Sequence, residues 1–233
     1  MIILMFGPPQ SGKGSLGRRI SRSLEVPYFA AGEEIRKRLK EDPSWFLGRY
    51  SMEMHDRGEF CPPEMVRDLV FDLLRGANLN CVLDGYPRNV DQFKMMEELG
   101  ATYTVAHLVV PEDELVRRAS NRRICSECGE VFQLGNPHML PRDDGRCTTC
   151  GGEVIQRGDD NEEIVRTRVA KYRAETEPVL ETLSEMADYY VDFTPSGSQD
   201  VDAEAQELID QMVAEWNERV DEIMFDRARK YDG

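Results

Sequence analysis

The chain opens with an unbroken apolar run, Ile-Ile-Leu-Met-Phe at residues 2–6. A strand apolar at every position, rather than at alternate ones, is predicted to be buried on both faces, in the middle of a parallel sheet. From residue 13 the period changes. Leu16, Ile20 and Leu24 recur at helical spacing, which predicts a helix over 13–25. Residues 27–30 read as a short strand or bend. A second helix is predicted from 31, with Glu33 and Glu34 in its first turn and Arg36, Lys37 and Arg38 after them, the order the helix dipole favours. Residues 41–61 read as a small helical excursion. Pro62-Pro63-Glu64 is a helix start, and Met65, Val66, Leu69, Val70, Leu73 and Leu74 then lie on one stripe.

Further strands are predicted at 81–83, 106–110 and 189–193, and helices at 90–98, 112–123 and 160–186. Residues 124–156 read as irregular. From 202 onward Leu208, Ile209, Met212, Val213, Trp216, Val220, Ile223 and Met224 keep a helical stripe. That stripe either packs back on the core or pairs with another chain, and packing back is the preferred reading. Strands alternating with helices predict an α/β fold, a parallel sheet covered by helices on both faces. Such sheets take ligands at the carboxyl ends of their strands, where Gly7 and Asp84 both fall.

Between the first strand and the first helix stands Gly7-Pro8-Pro9-Gln10-Ser11-Gly12-Lys13-Gly14-Ser15. Strand, glycine-bearing loop and helix are the context of a P-loop. Its backbone amides and the positive end of the following helix make a nest for phosphate. Lys13 adds a point charge at the β- and γ-phosphates, and the Ser15 hydroxyl can reach Mg²⁺. Arg36, Arg88, Arg118, Arg122, Arg123, Arg157, Arg166 and Arg168 come from separate segments. Gathered at the loop, several of them would neutralise phosphate charge, as phosphoryl transfer requires. A solvated surface is the expectation for Arg117, Arg123 and Arg166, while Arg118 fits either role. Arg166 and Arg168 are two apart on a helix, so only one is expected to serve the site.

Four of the six cysteines form two Cys-x₂-Cys pairs, Cys125/Cys128 and Cys147/Cys150, separated by eighteen residues and each followed by glycine. This spacing predicts a closed, tetrahedral, structural Zn²⁺ site with every position filled by protein. Cys61 and Cys81 read as packed thiols and His138 as a loop residue. A net charge of -15 and a pI near 4.7 argue against a nucleic-acid partner. No run approaches the roughly 20 apolar residues of a membrane span. No charged leader precedes an apolar stretch, so a reducing cytoplasm is expected, with thiols that ligate metal or pack rather than form disulfides.

The P-loop, Asp84-Gly85-Tyr86-Pro87-Arg88, and Gln156-Arg157-x-Asp159-Asp160-Asn161 with Arg166-Thr167-Arg168 resemble the nucleoside monophosphate kinases, above all adenylate kinases of the long form with a zinc-bearing lid. The resemblance covers about residues 1–212. It implies a P-loop core at 1–29, 62–121 and 159–212, a helical monophosphate-binding arm at 30–61 and a zinc lid at 122–158; residues 213–233 form a helical extension without a counterpart. It implies in-line transfer from MgATP to a nucleoside monophosphate, with closure of lid and arm and no covalent nucleophile. By the match, Lys13, Asp84, Arg88, Arg122, Arg157 and Arg168 are catalytic, and Asp84 orients Mg²⁺ through water. ATP would meet Gln10, Ser11, Gly12, Lys13, Gly14, Ser15, Arg118, Arg122, Val131 and Phe132. AMP would meet Ala31, Arg36, Glu59, Phe60, Cys61, Gly85, Tyr86, Pro87, Arg88, Gln92, Arg157 and Arg168. The expected partners are ATP and AMP, with no nucleic acid and no membrane, acting on a monomer.

The match has departures. Gln10 stands where the family loop usually has glycine. Ala31-Gly32-Glu33 and Asn89 look like the uridylate/cytidylate branch, whereas Gln92 matches the residue that reads adenine. Gln92 carries more weight, because an amide can pair with a base edge while Ala31 merely lacks a polar contact. AMP is therefore the expected acceptor, with UMP, CMP or a broad acceptor range as the alternative. A reading of a different class is an ATP-binding protein that uses its cysteine element to bind partners. The scattered arginines argue against it, since a binder needs no second phosphate site.

Overall fold

The computed structural model describes residues 1–56, 61–156, 158, 160–197 and 200–231. Its strands are β1 (Ile2–Phe6), β2 (Tyr28–Ala30), β3 (Cys81–Asp84), β4 (Tyr103–Leu108), then β5 (Arg122–Cys125), β6 (Val131–Gln133) and β7 (Val154–Ile155) in the cysteine insert, and β8 (Tyr189–Phe193). The helices are α1 (Lys13–Ser23), α2 (Ala31–Glu41), α3 (Met52–Asp56), α4 (Pro63–Gly76), α5 (Val90–Glu97), α6 (Glu112–Asn121), α7 (Glu162–Glu175), α8 (Glu177–Met186) and α9 (Val201–Tyr231).

The main sheet runs β2-β3-β1-β4-β8, every pairing parallel. β1 is central, which explains why its sequence carries no polar position. Ile2, Leu4 and Phe6 point into one core layer with Val70, Leu74, Phe93, Met96 and Leu183 of α4, α5 and α8. Ile3 and Met5 point into the other, with Leu16 and Ile20 of α1 and Leu208 and Met212 of α9. Each such side chain contributes roughly 2 kcal/mol on full burial.

Four differences from the sequence reading have local causes. β4 begins at Tyr103 rather than 106, because register with β1 (Ile2 opposite Tyr103) recruits its polar start, and it ends at Leu108. The helix over 112–123 stops at Asn121, and Arg122 and Arg123 lie in β5. The helix over 160–186 is two helices. Pro178 lies in the first turn of α8, where a missing N–H is tolerated, whereas mid-helix it would break the ladder. The insert is not irregular throughout: β6-β5-β7 form a small antiparallel sheet.

The stripe of α9 packs on this chain's own sheet through Leu208, Ile209, Met212 and Trp216, whose Nε1 donates to Thr104 Oγ1 at 3.1 Å, while Val213 is exposed. The side chains of Val220, Ile223 and Met224 lie outside the described residues. Among the described residues no helix is long and apolar enough to cross a membrane.

Candidate active site

In the sheet register Met5 stands opposite Asp84, so the loop after β1 and the end of β3 are neighbours. Gly7 has φ 142°, and a Cβ there would lie 2.9 Å from the Leu108 carbonyl oxygen. Gly12 has φ 103°. Lys13 curls back over the loop, its Nζ donating to the carbonyls of Gly7 at 2.7 Å and Pro8 at 2.9 Å. Burial first, and then the cations of Arg88, Arg168 and Arg122, bring the Lys13 ammonium down to about 8 against the opposing pull of Asp84. The charges that act on Lys13 locate the site. One lysine, three arginines and one carboxylate lie within electrostatic reach of each other, drawn from α1, β3, the loop after it, β5 and α7.

Asp84 Oδ2 accepts a hydrogen bond from the Tyr28 hydroxyl at 3.0 Å. Tyr28 in turn lies under the Arg18 guanidinium, 4.6 Å from ring centre to Cζ. Burial and the adjacent Asp84 carboxylate push the Tyr28 hydroxyl far above its usual range, so it stays a donor. Arg88 donates from Nε to the Gly85 carbonyl at 2.9 Å; burial and the charge of Arg168 disfavour its cation, and Asp84 favours it. Arg168 faces the cleft. Arg166 points away and pairs with Glu112 at 2.8 Å and Glu162 at 3.0 Å. Arg117 pairs with Glu114, and Arg123 is spent on the carbonyls of Ser120 and Arg122.

Arg118 occupies a different position from Arg122. It is 8% exposed and braces the loop from beneath, giving Nη1 to Ser11 O at 3.0 Å, Nη2 to Pro195 O at 2.9 Å and Nε to Glu114 at 2.7 Å. Those donors hold protein groups, and the side chain also lines the cleft. In β5 and β6 the pairings Arg122–Gln133 and Ile124–Val131 share a face, and Arg123–Phe132 lies on the other. Arg122, Ile124, Val131 and Gln133 accordingly line the cleft. Phe132 does not: it is buried with Cys125 and Cys147 inside the insert, so its placement near the ATP base is corrected to a packing role.

Of the residues expected to meet the acceptor, Ala31, Arg36, Cys61, Gly85, Tyr86, Pro87, Arg88 and Gln92 line the same cleft. Ala31 is buried against Gly85, and Glu33 pairs with Arg18 at 2.6 Å. Burial pushes the Cys61 thiol up to about 12, which keeps it protonated and inert. Asn89 is the N-cap of α5. Glu59, Phe60 and Arg157 lie outside the described residues. The cleft encloses about 2140 Å³, beyond the roughly 300–1,000 Å³ of a pocket for one small ligand.

Two residues were given no role by the sequence. Tyr28 carries no signal, because a tyrosine in a short strand reads as core. Asp160 stands in the 156–161 motif. It is 2% exposed, accepts from Gln10 Nε2 at 2.7 Å and lies 3.4 Å from Arg122 Nη1. A carboxylate beside so many arginines was the available clue.

The four insert thiols all lie within 4.8 Å of one another, with Sγ···Sγ of 3.4 Å for Cys125–Cys150 and 3.6 Å for Cys128–Cys147. Zinc–sulfur bonds of roughly 2.3 Å in a tetrahedron require about 3.8 Å between sulfurs, so the set fits. Amides of Thr149 and Gly152 donate to the sulfurs of Cys147 and Cys150, at 3.4 Å each, as thiolate ligands require. Gly152 is needed here, since a Cβ would meet Cys125 Sγ at 3.0 Å and Glu127 Cγ at 2.6 Å.

A family model described as adenylate kinase matches residues 5–188. The chain is 37% identical over 186 residues to an adenylate kinase of Petrotoga mobilis, covering 78% of this chain and 84% of that one. It is 34% identical over 216 residues to an adenylate kinase of Thermosipho africanus, covering 90% and 98%. It is 39% identical over 186 residues to an adenylate kinase of Pyrococcus abyssi, covering 77% and 82%.

Proposed function

The chain belongs to the adenylate kinase family, and from that premise we propose how its own residues carry the reaction. It transfers the γ-phosphoryl of MgATP to AMP, giving two ADP. The observation that carries the residue assignment is the cluster of Lys13, Arg88, Arg122 and Arg168 around Asp84. A binder of ATP alone has no use for cations on both sides of the cleft.

In this reading the loop amides and Lys13 hold the donor phosphates. Lys13 exchanges the carbonyls of Gly7 and Pro8 for phosphate oxygens when ATP arrives. Arg88 and Arg36 hold the acceptor phosphate. Arg122 and Arg168 flank the transferring group and offset the charge that spreads over its oxygens. Arg157 joins them by the family match alone. Asp84 and Ser15 would hold Mg²⁺, which offsets phosphate charge, and Tyr28 keeps the Asp84 carboxylate turned toward the loop. The acceptor's phosphate oxygen attacks directly, so the protein aligns the reactants and excludes water. The cysteine insert is the lid, residues 30–61 the arm, and zinc the metal that builds the lid's core. The chain acts as a cytoplasmic monomer, a reading supported by reduced thiols grouped for metal and by α9 packing on its own sheet.

The acceptor follows from Gln92. The two features resembling the pyrimidine branch have structural uses that do not involve the base: Asn89 caps α5 and Glu33 pairs with Arg18. The test is a coupled assay with MgATP and, in turn, AMP, CMP, UMP, GMP and dAMP. Preference for AMP is expected. Preference for CMP or UMP would overturn the Gln92 assignment, and transfer unaffected by Arg88→Ala would overturn the cluster.

A further inference from the structure

Both chain crossings of the lid end on one side chain of the phosphate loop. Gln10 Nε2 donates to Asp160 Oδ1 at 2.7 Å, just after the chain returns from the lid. Gln10 Oε1 faces Arg122 Nη1 at 3.4 Å, where β5 leads into the lid. Arg122 Nη1 is also 3.4 Å from Asp160 Oδ1. Carboxamide and carboxylate thus present two acceptor oxygens to one guanidinium, and the short bond between them fixes their spacing. The buried Asp160 is further tied down through its own carbonyl, which accepts from Gln156 Nε2 at 3.2 Å. Both of these contacts to the guanidinium are at the long end of hydrogen-bond distance.

The backbone indicates that this side chain matters. Gln10 has φ 68°, a conformation that residues with a Cβ disfavour and glycine takes without strain. A residue that persists there does so for what its side chain holds. The amide is also the group that suits the place. A carboxylate would sit against Asp160 and repel it, and a shorter side chain would remove the carboxamide oxygen that faces Arg122.

We propose that Gln10 is a positioning residue that holds Arg122 over the phosphate loop and ties its aim to both hinges of the lid. This rests on the charge-stabilising role of Arg122 proposed above. The loop then has two functions: its amides receive phosphate, and its one amide side chain orients the arginine that completes the site.

The experiment is a double-mutant cycle in steady-state kinetics on the full chain, with melting temperature as the folding control. Gln10→Gly leaves the loop backbone unstrained, so its effect is not a folding artefact. It is expected to lower kcat about tenfold and leave KM for AMP within about twofold, and to have no further effect in an Arg122→Ala background. Gln10→Glu should lower kcat at least as much. Adding Asp160→Asn to it should restore kcat to within about threefold of wild type, because the amide–carboxylate pair re-forms with its partners exchanged. Wild-type kcat in Gln10→Gly, independent multiplication of the Gln10→Gly and Arg122→Ala effects, or no rescue by the exchanged pair would overturn the proposal. Wild-type kcat in Arg122→Ala would remove its premise, and is read separately from the Gln10 variants.

Discussion

Asn89 and Gln92 hold each other in place across the start of α5. Asn89 Oδ1 accepts from the Gln92 amide at 2.9 Å, and Gln92 Oε1 accepts from the Arg88 amide at 2.7 Å. The pair is a near relative of the capping box, with the returning side chain bonded one residue earlier. With the oxygen committed to an N–H, the proposed reading of the base by Gln92 falls to its amide NH₂, which would seek an acceptor atom such as the unprotonated ring nitrogen of adenine. Guanine and uracil carry N–H at the corresponding edge. Gln92→Glu keeps the bond to Arg88 but offers the base an acceptor; its kcat/KM for AMP should fall about tenfold or more while MgATP binding holds. Asn89→Ala should cost about 1 kcal/mol in denaturant unfolding and leave the order of acceptors unchanged. A switch toward UMP or CMP in Asn89→Ala would show that Asn89 reads the base.

Lys13 sets a pH dependence. Its folded value of about 8 lies below the unfolded 10.5, burial being the main cause. Between those values the unfolded chain holds a proton the folded one has released. Folding is therefore penalised below pH 8, and the penalty is relieved as pH rises through the window. Activity runs the other way, because a neutral lysine does not attract phosphate. The kcat/KM for ATP, which reports the free enzyme, should fall above about pH 8, and kcat should persist to higher pH because bound triphosphate raises the lysine again. A kcat/KM that stays flat to about pH 9.5 would show that Lys13 remains charged in the free enzyme.

Zinc should hold the insert together and leave the main sheet alone. Among the described residues the insert's own core cluster is Cys125, Phe132 and Cys147 with Val154 against them, too little to fold 122–158 unaided. Structural zinc supplies an apparent 10–16 kcal/mol or so in such units. Metal analysis should find one zinc per chain. Cys147→Ser should abolish transfer and raise proteolytic cutting between 126 and 152, with the far-ultraviolet signal of the core retained. Full activity in the metal-free Cys147→Ser protein would defeat this account.

The last helix contributes to stability through Trp216. Its indole meets Tyr189 edge-on with ring centres 6.2 Å apart, besides the bond to Thr104. The indole is half-buried, so Trp216→Ala should cost about 2 kcal/mol, below the 3–5 typical of a fully buried tryptophan. Trp216→Phe should recover most of that and lose about 1 kcal/mol for the hydrogen bond left unmade by buried Thr104. Equal melting temperatures for all three proteins would make the contact incidental.

What the sequence determined by itself is what neighbouring residues dictate. The apolar run at 2–6, the glycines and Lys13 at 7–15, the acidic start of the second helix and the two Cys-x₂-Cys turns are each complete within a dozen residues, and each emerged as an element of the expected kind. Where the chain's own signal was mixed, tertiary structure decided. Arg118 and Arg122 would share a face if the helix continued through both; it ends at Asn121, and although both line the cleft, Arg118 is tied to Ser11 O and Pro195 O while Arg122 reaches Gln10 and Asp160 from β5. Val131 and Phe132 are adjacent, yet strand alternation puts them on opposite faces of the lid sheet. The partners of Gln10 lie 112 and 150 residues away, and that of Tyr28 lies 56. Periodicity tells a side chain which face of its own element it occupies. Only the register of strands and the crossing of distant segments tell it what stands opposite, and the chemistry of this site lies in what stands opposite.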